Sequence, residues 1–227
     1  MANVIIGIPV CNDLETFRHT IKSIMKTTNF PYKLLIVESG STDGTREYCD
    51  LLPKIYPFLD LEIIHTKKEG PLKAYNRIID FAIKEETDLL MSQTDVIFYK
   101  LYKRDWLEIM YNIAQDKQVG AVIPINGGGV SGPDYIEGFP WVGGWCTYLP
   151  IRTLLKVGHF DNQFPNGYGV DIDLTYRIHK AGLGIMRINY WVDHHMMNER
   201  QHDNDKDTEK AKKEASKYFK KKWKLLS

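Results

Sequence analysis

The sequence predicts an α/β fold in which a mostly parallel central sheet carries helices on both faces. In residues 1–98, apolar runs of strand length alternate four times with amphipathic helical patterns. Each apolar run ends in small or polar residues, and sheets of this kind bind ligands beyond the carboxyl ends of their strands. Composition excludes disorder and collagen-like order, because 43% of the residues are hydrophobic and 26% are charged.

The elements of the first half follow from periodicity and turn residues. Strands are predicted at 4–10, 33–37, 61–65 and 88–91, where apolar and β-branched residues run together. Helices are predicted after an N-cap at Asn12-Asp13, at 45–52 and at 71–83, where apolar residues recur at helical spacing. The turn-rich segment 39–45 joins the second strand to its helix.

The later half is less regular. A helix at 106–115 and a strand at 120–124 precede the glycine-rich segment 127–133, which we interpret as a mobile loop. A strand leading into a short helix is predicted at 141–151, and a pair of strands at 184–188 and 190–192. From residue 205 the Lys-rich sequence predicts an amphipathic helix packed on the body.

Charge and cysteine usage narrow the class of protein. The net charge of +1 excludes nucleic-acid binding by the whole molecule, so any phosphate chemistry is local. Cys11, Cys49 and Cys146 lack metal or redox spacing, which predicts buried free thiols in a reducing cytoplasm. Residues 4–10 are too short and lack the basic flank of a signal peptide or membrane span. We therefore expect a cytoplasmic protein.

Two carboxylates follow a glycine-rich turn at 167–169 and enter an amphipathic helix. Asp171 and Asp173 are two positions apart, so on a helix they point in different directions and have different roles. One carboxylate facing a cleft would serve as a base. Asp at a helix start is also an ordinary N-cap, and the spacing alone leaves both readings open.

Polar side chains at two strand ends are candidate ligand contacts. Glu38 directly follows the second strand, where a carboxylate accepts hydrogen bonds from a nucleobase or from ribose hydroxyls. Asp95 follows the fourth strand and would bind a divalent cation together with diphosphate oxygens. The alternatives are a structural role for Asp95 and a helix-capping turn at 41–43, to which we assign Asp43.

Two later features add to this picture. His194 and His195 follow a strand-like segment, and imidazole with carboxylate and phosphate suits Mn²⁺. Adjacent residues on a strand point to opposite faces, so at most one imidazole reaches the cation, and an ordinary histidine pair remains the alternative. Gly70 and the helix start after it would meet a phosphate. Asn76 stands out because Asn is a poor helix former.

The sequence resembles the inverting family 2 glycosyltransferases of the GT-A fold, with matching segments in collinear order over most of the chain. The segments are Ile8-Pro9-Val10-Cys11-Asn12, Val37-Glu38-Ser39-Gly40-Ser41-Thr42-Asp43-Gly44-Thr45, Gly70 to Asn76, Trp141 to Cys146, Gly158-His159-Phe160-Asp161 and Gly169 to Leu174. The resemblance implies one GT-A domain with a nucleotide-binding half at 1–98, an acceptor-binding half at 99–204 and a C-terminal helix at 205–227.

The resemblance also implies the roles of individual residues. Asp171 is the implied catalytic base, and Asp95 with His194 or His195 is the implied site for Mn²⁺ or Mg²⁺. The implied nucleotide-sugar contacts are Pro9, Val10, Asn12, Glu38, Ser41, Gly70, Ala74, Asn76, Gln93, Thr94 and Asp95. Trp145, Tyr168 and Asp173 are the acceptor candidates. Trp145 and Tyr168 are chosen because aromatic rings stack on the apolar faces of sugars.

The sequence departs from the family pattern at three places. Gln93-Thr94-Asp95 lacks the first Asp of a D-x-D motif, Glu38-Ser39 replaces a double Asp, and Val170 replaces a Glu before the expected base. A nucleotide-sugar binding protein without turnover and a nucleotidyltransferase are therefore kept as alternatives.

The expected partners are a nucleotide-diphosphate sugar, with a UDP-sugar expected first, and a glycan or lipid-linked acceptor. Peripheral membrane contact through the basic tail is a further alternative to a solvated helix face.

Overall fold

The computed structural model describes residues 4–100, 103–126, 142–143, 145–194 and 206–225. The predicted loop at 127–133 lies outside these residues. The strands are β1 (Val4–Val10), β2 (Tyr32–Ser39), β3 (Leu61–Thr66), β4 (Asp88–Ser92), β5 (Val96–Phe98), β6 (Val119–Asn126), β7 (Cys146–Leu149) and β8 (Gly184–His194). The helices are α1 (Leu14–Thr27), α2 (Thr45–Ile55), α3 (Pro71–Lys84), α4 (Trp106–Ala114), α5 (Ile151–Val157), α6 (Val170–Lys180) and α7 (Lys206–Trp223), with a 3-10 turn at Pro165–Gly167.

The described strands form one eight-stranded sheet in the order β3-β2-β1-β4-β7-β6-β8-β5. The half built from β3, β2, β1 and β4 is entirely parallel, as predicted. In the other half β6 and β8 are parallel, whereas β7 and β5 run antiparallel to their neighbours. The parallel half places the ends of β1, β2 and β4 at one edge of the sheet.

Helices cover both faces of this sheet. Phe17 and Ile21 of α1, Leu52 of α2 and Met110 of α4 are buried on one face. Ile78 of α3, Leu154 of α5 and Ile178 of α6 are buried on the other. Strands buried on both faces explain the nearly continuous apolar runs of β1 and β2. No described helix has the length and apolar character needed to cross a membrane.

The structure corrects three details of the sequence prediction. Residues 184–194 form one strand rather than a pair, because a register shift between Pro124 and Ile125 of β6 absorbs the irregularity. The short strand β5 was not predicted, since three residues give too little periodicity to recognise. The three cysteines are free, but Cys11 is exposed rather than buried, because it stands in the loop after β1.

Candidate functional site

Glu38 lies at the end of β2 with a fully buried carboxylate. Its Oε1 accepts a hydrogen bond from the Ser41 amide at 2.6 Å, while Oε2 lies 3.2 Å from Arg46 Nη1 and 2.9 Å from His65 Nδ1. Burial by itself raises the pKa of Glu38, but the hydrogen bonds of Ser41 and His65 and the charge of Arg46 outweigh it and lower the pKa. Glu38 is therefore an ionised residue at the base of the turn that follows β2.

Sequence reasoning missed the partners of Glu38. His65 is its direct neighbour across the parallel β2/β3 pairing, and its Nε2 lies 3.0 Å from Asp50 Oδ1. Arg46 comes from the first turn of α2. The strand register would have identified His65, but periodicity alone does not give that register.

The loops after β1 and β2 are held together by side chains. The Thr42 amide donates to Asn12 Oδ1 at 2.7 Å, and the Asn12 amide donates to Ser41 Oγ at 3.0 Å. Asp43 accepts hydrogen bonds from the amides of Leu14 and Thr45, both at 3.0 Å, so it caps two helices. The capping role assigned to Asp43 is confirmed. Asn12 and Ser41 lie at the surface, where the loops after β1 and β2 meet.

Pro9 and Val10 form the end of β1, beside Val37 and Glu38 of β2. Val10 is buried, and Pro9 is only partly so. Their position at the strand end brings the β1 backbone to the same edge as Glu38.

Asp95 and His194 lie side by side at the end of the sheet. The Oδ1 atom of Asp95 is 3.6 Å from His194 Nε2, and both side chains are almost fully buried. The pairing of β5 with β8, in which Val96 faces His194, brings these distant residues together. Gln93 Oε1 lies 3.1 Å from the same His194 nitrogen.

Trp145 closes one side of this pair. Its ring stacks on the His194 imidazole with centroids 5.2 Å apart and planes tilted by 21°. Its carbonyl accepts a hydrogen bond from the Gln93 amide at 2.9 Å. The Thr94 hydroxyl donates to the Asp13 carboxylate, and the Thr94 carbonyl accepts a hydrogen bond from the Thr20 hydroxyl. These two bonds hold segment 93–95 against α1.

This donor set suits a divalent cation only in part. Within the described ranges, no group of three His, Cys, Asp or Glu side chains could hold a metal ion. Asp95 and His194 supply one carboxylate and one imidazole, the types that suit Mn²⁺, and the remaining positions would fall to other oxygens. His195 lies outside the described residues.

Asp171 stands in the first turn of α6, after Gly169 in the left-handed conformation with φ 79°. The side chain is partly exposed, and burial raises its pKa to about 6. A carboxyl group with this pKa changes protonation state close to neutral pH, as a general base requires.

A short segment connects Asp171 to the pair at Asp95 and His194. The Val142 amide donates to Thr175 Oγ1 at 3.0 Å, and that hydroxyl donates to the Asp171 carbonyl at 2.9 Å. Three residues later, Trp145 bonds to Gln93. Three residues span at most about 11 Å, so this segment holds the first turn of α6 near the Asp95 region.

Asp173, one of the acceptor candidates, lies inside the protein. Its carboxylate is fully buried, with Oδ2 2.9 Å from Arg177 Nε and Oδ1 2.8 Å from Lys222 Nζ and 2.9 Å from Trp223 Nε1. Tyr168 packs against the cluster of Phe164, Ile172, Ala215 and Phe219, which joins α6 to α7. We assign Asp173 a structural role, because its buried carboxylate is held by Arg177, Lys222 and Trp223.

Two residues of α3 also have structural positions. Asn76 accepts from the Phe160 amide at 2.8 Å and donates to the Phe160 carbonyl at 3.0 Å, which clamps the turn before the 3-10 segment. Ala74 is buried in the core against the sheet. Gly70 differs, since it is exposed at the helix start with φ 84° and has open space around it. Of these three, only Gly70 is open to a ligand.

Comparison with known proteins defines the class. The mannosyltransferase of Pyrobaculum calidifontis, solved with GDP-Man and Mn²⁺, superposes with a TM-score of 0.67 at 18% identity, covering 88% of this chain and 59% of that one. Residues 1–349 of S. aureus TarS, solved with UDP-GlcNAc, superpose with a TM-score of 0.65 at 14% identity, covering 93% and 64%. The fold is thus that of the GT-A glycosyltransferases.

Sequence comparison gives the family. The chain belongs to glycosyl transferase family 2, whose model matches residues 5–135, more than half of its length. A curated protein of Rickettsia conorii, described as an uncharacterized glycosyltransferase, is 32% identical over 109 residues. That match covers 48% of this chain but 17% of the relative, so this chain corresponds to a small part of that longer protein.

Proposed function

We propose that this protein transfers a sugar from a nucleotide-diphosphate sugar to an acceptor hydroxyl, with inversion at the anomeric carbon. The acceptor oxygen would attack the anomeric carbon while the bond from that carbon to the diphosphate breaks. The acceptor proton would pass to the Asp171 carboxylate. The observation that carries the proposal is the place of the Asp171 carboxyl, partly exposed in the first turn of α6, a turn that hydrogen bonds tie through Thr175 and Val142 to the segment leading to Trp145. The raised pKa of Asp171, about 6, agrees with a role as base.

The nucleotide is proposed to lie across the ends of β1 and β2. Asn12, Ser41 and Gly70 would contact it from three neighbouring loops, with Glu38 at the base. The hydrogen bonds of Asn12 and Ser41 support a loop that is organised before the ligand arrives. We propose a UDP-sugar as the first donor to test, and TarS solved with UDP-GlcNAc supports that choice.

Asp95 and His194 would hold Mn²⁺ or Mg²⁺ against the diphosphate. Such an ion offsets the negative charge of the leaving diphosphate. The mannosyltransferase solved with Mn²⁺ supports this assignment. Trp145, stacked on His194, would present an aromatic face beside the sugar. We propose a glycan or lipid-linked molecule as the acceptor, and the cytoplasm as the compartment.

The test is a calorimetric titration of the protein with UDP-, GDP- and dTDP-sugars, with and without Mn²⁺, while free nucleotide is measured in the same samples. The expected result is metal-dependent binding of one donor with slow release of its nucleotide. Absence of binding by every donor would contradict the nucleotide site at Asn12, Ser41 and Asp95. Binding with no nucleotide release under any metal or acceptor would leave a binding protein without turnover.

A further inference from the structure

The outer face of α1 and α2 carries large apolar side chains in water. Leu51 and Ile55 lie one turn apart on α2 and are 47% and 49% exposed. Phe58, in the turn after this helix, is fully exposed at 101%. Exposed apolar side chains that are grouped along the chain, rather than scattered singly, point to an interaction surface.

A row of cations runs beside these apolar side chains. Arg18, Lys22 and Lys26 repeat every four residues along α1, so they share one face of the helix, and all are exposed. Lys100, Lys103 and Arg104, which follow β5, are exposed as well. Among the described residues, the ion pairs use other cations and leave these six without a carboxylate partner.

Three adjoining grooves join the cationic groups and Ile55 into one surface, and Leu51 and Phe58 stand beside Ile55 in sequence. The groove between α1 and α2 is lined by Arg18, Lys22 and Ile55. A second groove shares Lys22 and extends to Lys26 and Lys100. A third shares Lys100 and extends to Lys103 and Arg104. We call this continuous surface, together with Leu51 and Phe58, the α1/α2 face.

Acidic side chains lie in the two outer grooves of this surface. The Asp105 carboxylate in the third groove accepts hydrogen bonds from Thr28, the amides of Asn29 and Phe30, and its own helix start. Glu108 lines that groove, and Asp13, Glu15 and Asp43 line the other end, next to the proposed nucleotide site. The middle groove has three lysines, a histidine and no acid.

We infer that the α1/α2 face docks on an anionic lipid bilayer. Lysine and arginine side chains near an anionic leaflet attract its headgroups, and exposed apolar side chains enter the interface between headgroups and acyl chains. A soluble polyanion would satisfy the cations but leave Leu51, Ile55 and Phe58 in water. The bilayer satisfies both sets, and it does so although the whole chain carries a net charge of only +1.

The test is flotation of the full chain with vesicles of phosphatidylcholine alone or mixed with phosphatidylglycerol. We expect binding to the mixed vesicles only, weakened by salt. Replacing both Lys22 and Lys26 by Gln should weaken binding about thirty-fold. Phe58→Ser, at a fully exposed position, should weaken it about tenfold or more while leaving the fold unchanged.

The matched control is the double change Lys213→Gln and Lys217→Gln, an exposed pair at the same spacing on α7. If the control loses vesicle binding and the Lys22/Lys26 variant keeps it, docking belongs to the tail and the inference is overturned. The inference is also overturned if the protein binds neither kind of vesicle. Binding of inorganic polyphosphate that depends on Lys22 and Lys26 but not on Phe58, without vesicle binding, would identify a polyanion site instead. Vesicle binding needs no donor, so its outcome is independent of the proposed transfer reaction.

Discussion

The ammonium group of Lys222 lies 2.8 Å from Asp173 Oδ1, and this contact fixes α7 to the helix that carries Asp171. The same ammonium lies 2.8 Å from Asp161 Oδ2, which also accepts a hydrogen bond from the Tyr218 hydroxyl. Lys222 is therefore the ionic partner of two carboxylates at once. Through this contact α7 holds α6 at Asp173, two residues after Asp171, the proposed general base.

Replacing Lys222 by Met should lower the free energy of unfolding by about 3 kcal/mol, because Asp173 is fully buried and loses a charged partner. Urea denaturation measures the change. Lys221→Met is the matched control, since Lys221 is exposed one position earlier, and it should change stability by less than about 0.5 kcal/mol. Equal effects of the two changes would contradict the buried pairing.

Replacing Asp171 by Asn should lower turnover by roughly 10²–10⁴ while donor affinity stays nearly unchanged, because general-base assistance acts only in the chemical step. Initial rates and calorimetry on the same preparation separate these two effects. Asp80→Asn, at a largely exposed carboxylate, serves as the control. A variant that keeps most of its turnover would remove Asp171 from the mechanism and return it to the role of a helix-end residue.

The pH dependence of the rate follows from the same group. Burial raises the pKa of Asp171 from its ordinary value of 3.8 to about 6, and only the ionised carboxylate accepts a proton. The turnover rate should therefore rise with pH and level off above about 6. Folding takes up this proton between about pH 4 and 6, so the contribution of Asp171 to stability falls as pH rises through that window. Denaturation curves of Asp171→Asn should lack this slope, and an unchanged slope would rule out the raised pKa.

Replacing His194 by Ala should weaken Mn²⁺-dependent binding of the sugar donor at least tenfold, because one of the two proposed metal ligands is lost. Electron paramagnetic resonance of free Mn²⁺ measures the affinity without any turnover. His159→Ala is the control, as His159 is exposed and pairs with Asp80 elsewhere on the surface. Unchanged Mn²⁺ affinity in the His194 variant would move the cation away from β8.

Replacing Asn76 by Ala should lower the free energy of unfolding by about 2 kcal/mol, since the amide and carbonyl of Phe160 both lose their partner. Donor affinity should stay the same, as the side chain faces the turn at Phe160. A calorimetric titration beside a denaturation curve tests both statements. A loss of donor affinity at unchanged stability would restore Asn76 to the nucleotide site.

Local pattern predicted most of the fold. The strands and helices of residues 4–92 lie within a few residues of their predicted positions, because buried parallel strands and amphipathic helices leave distinct patterns. β5 and the single strand β8 were missed, since a three-residue strand and a bulged register have no periodic signature.

The candidate site was harder to predict, because its contacts join residues far apart in the chain. Asp95 meets His194 through the β5/β8 pairing, and Glu38 meets His65 through the β2/β3 register, neither of which is visible in a linear pattern. Asn76 was a ligand candidate because Asn is a poor helix former, and both Asn76 and Asp173 lie in segments that resemble the family. Their partners, Phe160 and Lys222, are long-range contacts that only the fold reveals.

The position of Lys222 and Trp223 also determines the order in which this chain becomes functional during synthesis on the ribosome. The four parallel strands and their helices lie within residues 4–92, so they can pair as soon as that stretch has emerged. Asp173, in contrast, has only Arg177 as a charged partner until Lys222 has been made. A nascent chain would therefore complete its parallel half first and the helix of the proposed base more than one hundred residues later.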